Sequence, residues 1–350
     1  MMQPDNISMQ ISVIIPCYNA ESSVLETIHA IKAQTIKAFE IIVVDDGSSD
    51  STLQLLKKEP DVIVIKQENS GVSAARNRGV SKSTGDWIAF CDADDVWTPN
   101  KLEVVTNVIE NSNYTYKILF HDFYSFKDQT ITAHHVTHSG DTIFPSIKHN
   151  SFDIRKILKE KKSHTISIDG RDETISSYWG GLFPELAYGN LILPSSVVID
   201  KQLFTQYRGF DVNFRSAEET EFFLRLSTSE SFCYIDSELC GYRLSDNSIT
   251  SNKEPLLKQG LSALKKNCIS NVDIYAKNKH VINDAYRKKL YKCAYYYLTV
   301  LDRDKALEFM IEASQYGKLD RYGYFLKTLS ILPTGILKLL RSLKSKLSSF

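Results

Sequence analysis

Apolar runs and helical periodicities alternate along the first 120 residues. Ile11–Ile15 is a short β-branched run that stops at Pro16, and Val24, Leu25, Ile28 and Ile31 then recur at helical spacing within 20–34. Glu40–Val44 is the next apolar run, closed by Asp45-Asp46-Gly47-Ser48. The pattern predicts a short helix over 51–58, a strand over 62–66, a helix over 72–81 and a strand over 87–91. Thr98 as N-cap and Pro99 at the first helical position then open another helix. Strands alternating with helices imply βαβ units, a parallel sheet, and a ligand at the carboxyl ends of its strands. Over 122–190 the periodicity is lost, and loops with short helices are expected. A strand near 196–199, a helix over 217–226 and a strand over 232–235 follow. From Pro255 onward the pattern is helical. These readings divide the chain into a domain at 1–250 (halves 10–120 and 121–250) and a helical region at 251–350.

Composition adds two constraints. With 43% hydrophobic and 24% charged residues, the 350-residue chain is ordinary for a globular protein, which excludes wholesale disorder. Its 42 basic and 42 acidic residues cancel, so nothing marks a nucleic-acid binder. That balance hides a split: 1–250 holds 23 Lys/Arg against 34 Asp/Glu, and 251–350 holds 19 against 8. Beyond Asp320 there are six basic residues and no acidic one. There Ile336, Leu340, Leu343 and Leu347 share one helical face, while Lys338, Arg341, Lys344 and Lys346 lie mostly off it. Such a segment, 333–350, suits an anionic membrane surface, or packing on protein; both readings stay open. The six cysteines show no CxxC pair and read as buried, reduced thiols. No apolar stretch reaches the roughly 18 residues of a membrane span, and Met1–Gln10 lacks the apolar core of a signal peptide. The expected location is the cytoplasm, peripheral on the membrane's cytoplasmic face if the tail binds lipid.

The candidate chemistry lies at strand ends. Asp45-Asp46-Gly47-Ser48-Ser49-Asp50 follows one strand and Asp92-Ala93-Asp94-Asp95 follows another. Three carboxylates within four residues repel one another unless a cation compensates. Oxygen ligands grouped in this way suit Mg2+ or Mn2+, which bind one or two carboxylates together with substrate phosphates. Asp-Gly-Ser also makes ordinary turns, but two such clusters at successive strand ends point to a site. Between them, Asn69–Gly79 reads as a small-residue loop entering a helix whose N-terminus can face an anion, with Arg76 and Arg78 near it. His134-His135-Val136-Thr137-His138 lacks the Glu of a zinc HExxH pattern and reads as a solvated loop.

Val13–Asn19, Val43–Ser48, Gly71–Gly79 and Gly85-Asp86-Trp87-Ile88 running into Asp92–Asp95 together resemble the family 2 glycosyltransferases, over about 10–105 and more weakly to about 250. The resemblance implies a GT-A fold: a Rossmann-like α/β architecture with a mixed, mostly parallel sheet flanked by helices, here with a C-terminal helical region. It implies that Pro16, Tyr18 and Asp46 line the nucleobase pocket, and that Arg76 approaches the diphosphate. Asp92, Ala93 and Asp94 become the DXD motif, contacting ribose and holding the metal, with Asp95 able to share metal duty. The donor is then a nucleoside-diphosphate sugar, and the acceptor a saccharide or lipid-linked saccharide of surface-polysaccharide or lipopolysaccharide synthesis.

Relatives carry a Gly-Phe-Asp turn and then a Glu-Asp pair on a helix. This chain has Gly209-Phe210-Asp211 and then Glu218-Glu219, so Glu219 stands where an Asp base is expected, with Glu218 as the alternative. The extra methylene moves the carboxylate by ~1 Å, a distance that matters for a general base. Many relatives also carry Tyr-Arg-x-His where this chain has Tyr242-Arg243-Leu244-Ser245. Arg243 remains a diphosphate candidate, and Ser245 replaces the His. Trp179 and Tyr188 are candidates for stacking on a sugar or for ordinary packing. The inverting, metal-dependent reading competes with a non-catalytic nucleotide-sugar-binding or membrane-scaffold protein whose site has decayed.

Overall fold

The computed structural model describes residues 9–134, 153–168, 170–245 and 253–338. The chain divides into two compact units, one of 1–183 with 189–246, the other of 184–188 with 247–350.

The first unit is built on an 11-stranded sheet. Its N-terminal strands are β1 (Ile11–Cys17), β2 (Glu40–Asp45), β3 (Ile63–Lys66) and β4 (Trp87–Phe90), in the spatial order β3-β2-β1-β4, all parallel. β5 (Val96–Trp97), β6 (Ile118–Lys127), β7 (Thr130–Ala133), β8 (Glu160–Ile168), β9 (Arg171–Gly181), β10 (Val198–Asp200) and β11 (Ser231–Arg243) complete it. Beyond β4 the order continues β10-β6-β11-β9-β8, with β5 paired to β11 and β7 to β6. β10 runs antiparallel to both β4 and β6, so β6 and its parallel neighbour β11 share the direction of β1, β2 and β4. The mixed, mostly parallel sheet is as expected.

The short α2 (Thr52–Leu56) follows β2, and helices cover both faces. On one, α1 (Val24–Lys32) and α4 (Lys101–Asn111) put Val24, Ile28, Ile31, Leu102 and Val105 into a single core with Val13, Ile15, Val43 and Ala89. At ~25 cal/mol per Å2 of apolar surface, each such side chain contributes roughly 2 kcal/mol when fully buried. On the other lies α3 (Val72–Lys82). There a Cβ on Gly79 would stand 2.4 Å from Ile14 Cγ2, so only glycine allows this close approach to β1. Phe90, Phe204, Phe210 and Phe222 form an aromatic cluster on that face, and Phe222 belongs to α5 (Glu218–Ser227).

Several expectations are corrected. The helix expected from Pro99 begins at Lys101 with Asn100 as its cap. Val96–Trp97 pairs with β11 and the Thr98 N–H donates to the Leu239 carbonyl, which holds the chain extended two residues longer. The region expected as loops supplies long strands instead, β6 and the β8–β9 hairpin. The short strand expected at 232–235 continues to Arg243 through register shifts at Ile235/Glu238 and Glu238/Cys240. Of the sequence 134–138, only His134 is among the described residues, and its ring lies 2.9 Å from Glu238. All six cysteines are buried and unpaired.

The second unit contains α6 (Lys253–Leu264), α7 (Val272–Thr299), α8 (Arg303–Gln315) and α9 (Arg321–Ile331). Asn271, Asp302 and Asp320 cap the last three, accepting from the N–H groups of Ile274, Lys305 and Gly323. Arg287 and Lys288 both pair with Asp284 inside this bundle. The tail is described to residue 338, helical over 334–338; 339–350, with most of the expected amphipathic face, lies outside the described residues. No helix among the described residues is long and apolar enough to cross a membrane.

Candidate active site

The chain leaves β1 for β2 and β3 on one side and returns to β4 on the other, so the sheet's topological switch point lies between β1 and β4. Ligands of open α/β sheets bind in the crevice there. The β1–β4 ladder ends at Ile14↔Phe90. Two residues on, Pro16 has no N–H to donate, and the loops after the two strands diverge. Pro16 itself is buried and still paired to Val44, whereas Tyr18 at the mouth is 53% exposed.

The β1 and β2 loops are stitched together. Asn19, at φ 48, donates its N–H to Ser48 Oγ and accepts from the Ser49 N–H at 2.8 Å; the Glu21 N–H reaches Asp50 at 3.1 Å. Asp46 is buried and both of its oxygens are engaged: Oδ1 accepts from Gln67 Nε2 and the Ser70 N–H, Oδ2 from the Gly71 N–H at 2.8 Å. Its carboxylate thus orders the loop that enters α3, where the sequence led us to expect a nucleobase contact. Gln67 was missed because no motif surrounds it.

Arg76, on α3, is buried and bridges two carboxylates. Nη2 donates to Asp92 at 2.6 Å and Nη1 to Glu218 at 2.9 Å, with the guanidinium 5.2 Å from the Phe210 ring centroid. Burial works against its charge, but Asp92 and then Glu218 outweigh that and raise its pKa. The structure therefore joins three sequence candidates, Arg76, Asp92 and Glu218, directly. α5 is held beside them by the Gly209-Phe210-Asp211 turn, since Asn77 on α3 donates to the Phe210 carbonyl and accepts the Phe210 N–H.

Glu219 follows Glu218 at the N-terminus of α5 and is half-buried. Burial, and then the neighbouring Glu218, pushes its carboxyl well above the usual range. Once deprotonated, a carboxylate in that setting is a stronger base than a free one.

In the 92–95 loop, the Asp92 N–H donates to Ser195 Oγ and the Asp95 N–H to the Asp92 carbonyl. Ala93 is buried. Asp94 stays partly exposed, its pKa pushed up to about 6 by burial and by Asp92. Asp95 is fully buried: Oδ1 accepts the Arg243 N–H at 3.2 Å, Oδ2 has no hydrogen-bond partner among the described residues, and burial with Asp94 and Asp92 raises its pKa well above normal. Arg243 donates Nε to the Asp94 carbonyl, pairs with Glu26 and lies over Phe126. Beneath the loop, buried Lys101 donates to the Ser195 carbonyl at 2.6 Å and lies 3.5 Å from the Trp97 ring centroid.

Among the described residues no group of three or more His, Cys, Asp or Glu is arranged to hold a metal. The residues nevertheless fit a Mg2+ or Mn2+ that takes one carboxylate, Asp94, and completes its shell from phosphate and water. The crowding that raises Asp94 is what a cation relieves. Asp92 is occupied by Arg76 and Asp95 is turned inward, so the expected second ligand is not presented. Trp179 stacks on Tyr116 with centroids 5.8 Å apart, and Tyr188 donates to Asp284 in the helical unit. Both are packing residues here. Ser245 is exposed.

A three-layer α/β fold with carboxylates at its switch point is the architecture of GT-A glycosyltransferases. S. aureus TarS 1–349 in complex with UDP-GlcNAc superimposes with a TM-score of 0.60 over 89% of this chain and 82% of that chain, at 14% identity. Residues 12–171 match the model described as Glycosyl transferase family 2. That match makes this part of the chain similar to family 2 glycosyltransferases, and the matched span ends before α5. An uncharacterized glycosyltransferase of Rickettsia conorii is 29% identical over 283 residues, 80% of this chain and 38% of that protein. The putative teichuronic acid biosynthesis glycosyltransferase TuaG of Bacillus subtilis is 38% identical over 98 residues, 27% of this chain and 39% of that protein. The chain spans less than half the length of these curated relatives.

Proposed function

We propose that this chain transfers a sugar, with inversion, from a nucleoside-diphosphate donor to a hydroxyl of a saccharide or lipid-linked saccharide. The observation that carries the reading is the Arg76 bridge, which ties the donor-side loop at Asp92 to the helix that bears Glu219. The acceptor hydroxyl loses its proton to Glu219 as its oxygen attacks the anomeric carbon, and the bond to the diphosphate breaks with its electron pair leaving on phosphate. Asp94 would hold the divalent cation, which would supply stabilisation of the charge on the leaving diphosphate. One base and in-line attack need no enzyme nucleophile, hence inversion. TarS, solved with UDP-GlcNAc, supports a UDP-linked donor, and the name of TuaG supports a surface-polysaccharide setting. We place the chain at the cytoplasmic face of the membrane, on the strength of the basic segment 333–350.

Thermal-shift measurements against nucleotide sugars with Mn2+ identify the donor, and UDP release then reports turnover. Asp94→Ala is expected to abolish metal-dependent turnover. Glu219→Gln is expected to abolish turnover while the donor-induced thermal shift persists. Wild-type turnover in either variant would overturn the role given to that residue.

A further inference from the structure

The 92–95 loop is gripped by three hydroxyls from two distant parts of the chain. Ser23 Oγ donates to the Ala93 carbonyl at 2.8 Å and Thr27 Oγ1 to the Asp95 carbonyl at 2.9 Å, while Ser195 Oγ accepts the Asp92 N–H at 2.9 Å. All three side chains are buried.

Each hydroxyl is turned away from a local use. Ser23 is the N-cap residue of α1, yet its side chain makes no cap bond, forgoing a stabilisation of ~1 kcal/mol. Thr27, inside α1, donates across to the loop, whereas mid-helix hydroxyls such as Thr328 bond back one turn. Ser195 and Ser196 share one 3-10 turn; Ser196 Oγ bonds back to the Leu193 carbonyl, and Ser195 alone faces the loop. Departures from local preference that converge on one loop mark a functional constraint.

We infer that Ser23, Thr27 and Ser195 are positioning residues that preset the 92–95 backbone so that Asp94 meets the cation and diphosphate. The inference rests on the metal-dependent reading above. With the Arg243 contact to the Asp94 carbonyl and the Asp95-to-Asp92 turn bond, both ends of the loop and each carbonyl from Asp92 to Asp95 have a defined partner. Groups that orient a ligand in this way typically change metal affinity 10- to 100-fold when removed.

The test is Mn2+ binding in the presence of UDP, read from the electron paramagnetic resonance signal of free Mn2+. Ser23→Ala, Thr27→Val and Ser195→Ala are each expected to weaken binding about 10-fold, and Thr27→Ser to restore wild-type affinity. Ser227→Ala, which removes a buried hydroxyl bonded within its own helix, is the control and should leave affinity unchanged. Wild-type affinity in the folded variants overturns the inference. The variants lie on two separate elements, Ser23 and Thr27 on α1 and Ser195 in the 194–196 turn, so failure to fold at one leaves the other to decide. If the wild-type protein holds no Mn2+ with UDP, the metal reading itself fails. Amide hydrogen exchange in the ligand-free protein then decides on positioning: faster exchange at Asp92 in Ser195→Ala supports it, and unchanged exchange overturns it.

Discussion

Arg76 is where the 92–95 loop and α5 meet, and its energetics follow from burial. A buried ion pair gives little net stability, but removing one partner leaves a charge without compensation, typically at a cost of about 3–5 kcal/mol. Arg76→Met strands both Asp92 and Glu218. It should destabilise the fold by about 3 kcal/mol, and adding Glu218→Gln should return part of that loss. Urea denaturation of the four proteins of this cycle measures the coupling, and strictly additive effects would disprove the bridge. Lys101 makes a different case at the same scale. Burial pushes its pKa from an ordinary 10.5 down to about 8. Below pH 8 both folded and unfolded chains hold the proton and the burial penalty is fully present. Between about 8 and 10.5 the folded protein has released a proton the unfolded chain keeps, so this residue's contribution to stability rises with pH. The wild type should therefore gain on Lys101→Met by up to about 1.4 kcal/mol per pH unit across that window. Parallel pH dependences of the two proteins would refute a displaced titration at Lys101.

At the scale of elements, legibility in the sequence followed periodicity and its interruptions. β1 through α3 were readable because apolar runs, turn residues and helical spacing all agreed locally. β6 was hidden because a buried strand carries His121 and Asp122, polar residues whose partners, the Asp122 carbonyl and the Tyr234 hydroxyl, are local or 112 residues away. β11 seemed to end at Asp236-Ser237-Glu238, where the structure carries the strand onward through two register shifts. The β8–β9 hairpin buries only His164, Ile166 and Ile168 of β8, and its exposed lysines guard a sheet edge. The site divides in the same way: motifs marked its carboxylates, whereas Ser195 and Gln67 belong to it only through folding. The Gly209 turn is the element that can be tested most cleanly. Gly209 has φ 61, and a Cβ there would stand 2.5 Å from Asn77 Oδ1; Gly170, between β8 and β9, has φ 74 with open space around it. Both alanine variants incur the left-handed cost of roughly 1–2 kcal/mol, but only Gly209→Ala also pushes Asn77 from the turn that seats α5. It should lose more stability than Gly170→Ala and lose turnover as well, with Gly170→Ala fully active. Equal losses in both would show that the Asn77 clamp does not position α5.

For the whole molecule, the even charge balance separates into two regions of opposite sign. Residues 1–250 carry an excess of 11 acidic groups and 251–350 an excess of 11 basic ones. The acidic excess includes Asp92, Asp94, Asp95, Glu218 and Glu219, which lie around the switch-point crevice. In the basic region several charges are already paired within the bundle, as Arg287 and Lys288 are with Asp284, which leaves the run after Pro333 as the strongest candidate for an external anionic surface. Each Lys or Arg near such a surface contributes about 1 kcal/mol. Lys338, Arg341, Lys344 and Lys346 together then supply on the order of 4 kcal/mol, attraction that salt should screen. Deleting 333–350 should abolish co-sedimentation with vesicles containing anionic phospholipid, leave the negligible binding to neutral phosphatidylcholine vesicles unchanged, and preserve UDP-sugar turnover in solution. Unchanged sedimentation would remove the tail from the membrane contact. Loss of turnover together with sedimentation would show that the segment packs on protein and supports the fold instead.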